Sequence, residues 1–60
     1  MDTLYAEIND GEVRLWLEQS DSICMKAITE HGDPVELTAN QAKNLVKELL
    51  KMIAEIEKNE

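Results

Sequence analysis

The stretch Thr38–Glu60, TANQAKNLVKELLKMIAEIEKNE, reads as one amphipathic helix, and the rest of the chain reads as the sheet that this helix covers. Thr38 offers a side-chain oxygen suited to an N-cap, and Gln41 stands three residues later. That is the capping-box spacing, in which two orphan backbone donors are satisfied reciprocally. Neither Gly nor Pro follows Pro34, so nothing interrupts the helix, and its expected span is 38–58. Ala42, Leu45, Val46, Leu49, Leu50, Met52, Ile53 and Ile56 fill an apolar band about 160° wide at about 100° per residue. Such a band is too wide for a narrow two-stranded seam and suits a helix lying on a sheet. Val46 and Leu50 fall at its margin, where they can meet something else. Lys43, Lys47 and Lys51 form a solvated stripe on the opposite side.

Upstream, Thr3–Ile8 and Glu12–Glu18 each alternate apolar and polar residues with period two, and Asn9-Asp10-Gly11 lies between them. Asp-Gly is a strong two-residue hairpin signal, because the turn that suits strand twist needs positive φ at both central positions. With Asp10-Gly11 as the loop, Ile8 pairs with Val13, Ala6 with Leu15 and Leu4 with Leu17 on one face. On the other face Tyr5 meets Trp16, and Glu7 meets Arg14 as a cross-strand ion pair. A one-residue slip would scramble both faces, which favours this register.

Glu18–Ser22 reads as a polar turn, and Ile23–Glu30 as a third strand with Ile23, Met25 and Ala27 toward the helix. His31-Gly-Asp-Pro34 is a further turn. Val35–Leu37 is either a short fourth strand or an extended lead into the helix. The expected fold is one α+β domain over 1–60: a two-layer, antiparallel three- or four-stranded meander (1–37) packed on one long C-terminal helix. One helix covers one face. The other face then keeps Tyr5, Trp16, Cys24 and Ile28 with no element left to cover them, and Tyr5 and Trp16 are the only aromatic residues in the chain. Exposed aromatic residues mark binding hot spots.

A 60-residue chain buries only about 60% of its unfolded surface. Oligomerisation is a usual remedy, and a single cysteine, Cys24, cannot form an internal disulfide. The net charge is −7, and residues 1–37 hold nine acids against two bases while the helix segment is neutral. An acidic sheet half repels nucleic acid and anionic membrane and attracts basic protein surfaces. With no secretory-type segment and no apolar run long enough to span a bilayer, the expected location is cytoplasmic.

Enzyme and metal readings find little support. His31 is the sole histidine and sits in a Gly-Pro turn, and Cys24 on a strand has only Lys26 as a nearby cation. No metal-ligand spacing, calcium loop or Gly-rich phosphate loop is present, so no cofactor is expected. The order of hairpin, strand and helix resembles, in topology alone, the sheet-and-helix modules of some small antitoxins. The expectation is a small acidic, non-enzymatic protein-binding or inhibitor protein, homodimeric, such as a phage- or plasmid-type inhibitor or antitoxin, acting on a basic protein partner, nucleic-acid-binding proteins included. The rival is a self-associating assembly module, and the third reading is a small-ligand or catalytic protein with its site between subunits. Contact residues are expected at Tyr5, Glu7, Arg14, Trp16, Ile28, Val46 and Leu50, with Asp10, Glu12 and Glu18 meeting a basic partner.

Overall fold

The computed structural model describes residues 4–29 and 31–58. Three strands, β1 (Tyr5–Ile8), β2 (Val13–Glu18) and β3 (Ser22–Ala27), are followed by one helix, α1 (Ala39–Lys58). The sheet is antiparallel in the order β1-β2-β3, so the fold is the expected βββα arrangement.

The first hairpin adopts the expected register, with Tyr5 opposite Trp16, Ala6 opposite Leu15, Glu7 opposite Arg14 and Ile8 opposite Val13. Leu17 N donates to Leu4 O at 3.1 Å and extends it. Asp10 (φ 55°) and Gly11 (φ 89°) are both left-handed, and Asn9 (φ 57°) joins them. Asn enters this region more readily than most residues because its short amide bonds locally. At the second turn Gln19 and Ser20 are also left-handed, closed by Asp21 N donating to Glu18 O at 3.2 Å. Glu18 pairs with Ser22 across this turn, so odd residues of β2 oppose odd residues of β3. Val13, Leu15 and Leu17 thus share a face with Ala27, Met25 and Ile23.

One expectation needs correction, and one left open is decided. The third strand ends at Ala27 rather than Glu30, its last bond being Ile28 N to Glu12 O at 2.9 Å. Beyond Glu12 the partner backbone turns away into the first hairpin loop and offers nothing to pair with. Thr3 and Glu30, the expected outer limits of the first and third strands, lie outside the described residues. Val35–Leu37 forms no strand and is an extended lead into the helix. Val35 and Leu37 are half-buried against the core with Glu36 pointing out, so alternation here serves burial without a ladder.

The helix start is tied to the first hairpin. Gln41 N donates to Thr38 Oγ1 at 3.1 Å and Thr38 N donates to Gln41 Oε1 at 2.8 Å, which completes the capping box. Gln41 Nε2 also donates to Asn9 Oδ1 at 2.8 Å, and Asn9 Nδ2 donates to Glu12. A polar chain thus runs from the cap to the hairpin loop and places the helix N-terminus at that end of the sheet.

The core is Ile8, Val13, Leu15, Leu17 and Met52, with Leu15 fully buried at its centre. Leu45, Leu49 and Ile56 pack around Met52, so the docked line of α1 is Leu45-Leu49-Met52-Ile56. One residue further on runs a second line, Val46-Leu50-Ile53, and it stays exposed. Extended at the same spacing, this outer line ends in Lys43 and Glu57, both exposed, so Lys43 borders the apolar band and does not lie opposite it as expected.

Handedness decides which side the outer line occupies. The Leu17–Leu4 bond means that inward-facing residues of β1 and β2 direct their peptide groups at each other. For L-residues, and seen from the helix with β1 running upward, the strands then read β1, β2, β3 from left to right. The helix begins at the top beside Asn9, runs downward and lies closest to β1. Its right-handed winding turns the outer line to the right, toward β3. There Met25 points to the helix layer yet is 55% exposed. Val46, Leu50, Ile53 and Met25 therefore border one uncovered apolar ledge.

Candidate protein-binding surface

The opposite face of the sheet is built in rows, because strand partners put their side chains on the same side. Tyr5, Trp16 and Cys24 form one row, and Glu7, Arg14 and Lys26 the next. Glu18 and Ser22 close the row at the second turn. Ile28, bonded through its backbone to Glu12, lies at the end near the first hairpin loop. Tyr5 is 53% exposed and Ile28 57% exposed, while Trp16 and Cys24 are half-buried. The 29–38 connection turns Val35 and Leu37 toward the core on the other side, so no described element covers these rows.

Glu7 and Arg14 are neighbours, but they do not form the expected ion pair. Glu7 Oε2 accepts from Tyr5 Oη at 2.7 Å, and Arg14 Nε donates to Gly11 O at 3.0 Å. Each finds a partner closer along its own chain, at two and three residues' separation, which costs less side-chain order than bridging the strands. The space between them is tight: a Cβ on Gly11 would lie 3.3 Å from Glu7 Oε1.

The Tyr5–Glu7 bond has a titratable signature. The hydroxyl donates to a carboxylate, which raises the Tyr5 pKa above its ordinary 10.0, with burial and the Glu7 charge acting the same way and Arg14 opposing. A raised pKa means that the neutral phenol is favoured in the folded state. Its contribution is complete below the unfolded value and is lost as pH rises through the folded one. Tyr5 is the sole tyrosine, so phenolate absorbance reads this group alone. In Glu7→Gln the absorbance transition moves to lower pH; a transition that stays where it is in the parent protein counts against the bond.

Charge fills the Glu7–Arg14–Lys26 row and marks the ends of the sheet. Arg14 and Lys26 sit on the face itself, and an open depression of about 220 Å³ is lined by Gly11, Glu12, Arg14, Lys26 and Ile28. It is smaller than a typical small-ligand pocket and has room for one side chain of a partner. Asp10 and Glu12 stand at the first hairpin loop, and Glu18 and Asp21 at the second turn. The acids thus mark both ends of the hairpin.

The expected contact residues separate into two groups. Tyr5, Glu7, Arg14, Trp16 and Ile28 share the open sheet face, with Asp10, Glu12 and Glu18 at its ends. Val46 and Leu50 lie in the helix layer, on the ledge beside Met25 and Ile53. Met25 and Ile53 were not singled out as contacts from sequence, because their spacing matches that of core residues. Cys24 lies opposite Trp16 and His31 is exposed in the turn after β3. Among the described residues no group of three His, Cys, Asp or Glu is placed to hold a metal ion, and no helix is long and apolar enough to cross a membrane. Comparison with protein-family models, with curated proteins and with solved structures finds no match.

Proposed function

We propose that this chain is a non-enzymatic protein-binding module whose open sheet face docks on a basic protein surface. The observation that carries the reading is the uncovered Tyr5–Trp16–Cys24 row, with Ile28 exposed on the same face beyond the Glu7–Arg14–Lys26 row. An aromatic centre with a polar, charged border matches the usual anatomy of a binding patch. The acids Asp10, Glu12, Glu18 and Asp21 bracket that centre at its two ends and favour a partner with basic residues at matching positions. A partner that binds nucleic acid presents such a surface, and a small acidic chain that occupies it acts as an inhibitor or antitoxin.

The test uses the full chain. Proteins captured on it at low salt are identified, and the purified complex is titrated from about 50 to about 500 mM salt. Affinity weakens as salt rises, and Trp16→Asp abolishes binding. A complex of constant affinity across that range, or one indifferent to Trp16→Asp, overturns the reading.

A further inference from the structure

The apolar ledge between α1 and β3 lies in the opposite layer from the open sheet face, and we propose that it is a self-association surface on which a second copy of this chain docks. Leu50 is 60% exposed and Val46 54%, at the middle of a helix, beside Met25 at 55%. Area leaves room for a partner, and two further observations identify the occupant as another copy.

The chain exposes 4695 Å², whereas a compact monomer of this length exposes about 4,000 Å². The excess, about 700 Å², is close to the roughly 800 Å² that each partner loses in a standard interface.

The first of the two is net charge. All seven net negative charges lie in residues 1–37, and the helix segment holds four acids and four bases. Two copies repel through their sheet halves and approach freely only through the neutral helix side. A basic heterologous partner is drawn to the other end of the molecule.

The second is the pattern along the outer line. Lys43, Val46, Leu50, Ile53 and Glu57 follow each other at spacings of three and four, which is the spacing of a two-helix seam. Its centre is apolar, and its ends carry opposite charges. A twofold axis near Leu50 that sets the helices antiparallel brings Lys43 beside Glu57 of the second copy, and Glu57 beside its Lys43. The same surface then serves both partners, as an isologous dimer requires. A parallel arrangement would place like charges together at both ends.

The experiment is sedimentation equilibrium on the full chain from low micromolar to near-millimolar concentration, with circular dichroism to confirm the fold. The parent protein sediments as a dimer. Leu50→Glu places a charge at an exposed position, keeps the fold and weakens the dimer at least about thirtyfold. Trp16→Asp, on the other layer, leaves self-association unchanged. Lys43→Glu weakens the dimer, and adding Glu57→Lys restores it. A protein that stays monomeric throughout overturns the proposal. So does a dimer that Trp16→Asp breaks and Leu50→Glu does not, or a double charge swap that fails to restore association. A monomeric parent or a failed charge swap leaves salt-dependent binding by the open face untouched, so the two readings fail separately; a dimer broken by Trp16→Asp would instead place self-association on the open face.

Discussion

Leu15→Ala lowers the unfolding free energy by about 3–5 kcal/mol. Leu15 has 0% exposure, the lowest in the core, and it lies on the central strand with ladder partners on both sides. Truncation removes the transfer energy of the side chain and leaves a cavity that two flanking strands cannot close. A chain of this length has a total stability of about 3–9 kcal/mol at ordinary per-residue values. The loss is therefore a large part of the whole, and the variant is partly unfolded at room temperature. Urea denaturation at one fixed protein concentration measures it. A midpoint within experimental error of the parent's would mean that the hydrophobic centre lies elsewhere.

Met52→Asp unfolds the protein outright, whereas Ile53→Asp, one residue on, changes monomer stability by about 1 kcal/mol. Met52 is 1% exposed and is the one described helix residue that is buried, while Ile53 is 41% exposed on the outer line. The first change removes the anchor of the helix and places a carboxylate in the core with no partner, which costs several kcal/mol beyond the lost packing. The second places the same carboxylate beside solvent. The sheet cannot survive alone, because release of the helix bares Ile8, Val13, Leu15 and Leu17 together. Helical ellipticity and hydrogen-exchange protection of β2 are therefore lost in one step in Met52→Asp. If strand protection persists after the helix is lost, the two layers do not form one cooperative unit.

Much of this fold was readable in the residues because independent local signals agreed. Asp10-Gly11 and the period-two pattern on either side point to one register, and it is the register found. Thr38 and Gln41 marked the helix start, and their two bonds are both present. The misreadings share a physical origin. A strand's end depends on how far its neighbour continues, which is a property of the neighbour; hence β3 stops where Glu12 stops. Val35–Leu37 stayed open between a strand and a lead into the helix for a related reason: alternation reports burial and cannot tell a ladder from an anchored connection. Glu7 and Arg14 face each other as expected, yet each has a local partner that the register alone does not reveal.

The candidate surfaces were only partly legible for a similar reason. Periodicity places Tyr5 and Trp16 on the face away from the helix, and they lie there. It cannot say where across the sheet the helix rests. Lying closest to β1, the helix leaves Met25 and Ile53 open, although their spacing is that of core residues.

The two lines of α1 share one spacing and differ by a single residue, so a rotation of about 100° about the helix axis would bring the outer line onto the sheet and turn the docked line away from it. Val46, Leu50 and Ile53 would then meet the sheet with nearly the apolar bulk of Leu45, Leu49 and Met52. In its middle the helix thus has two docking phases of comparable grease. The degeneracy is broken at its ends. The alternative phase would press Lys43 and Glu57 toward apolar neighbours and would carry Gln41 away from Asn9. A few polar atoms at the periphery therefore select the orientation of a helix that is held in place by its apolar centre. Neutralising Lys43 and Glu57 and severing the Gln41–Asn9 tie would give one chain two competing cores.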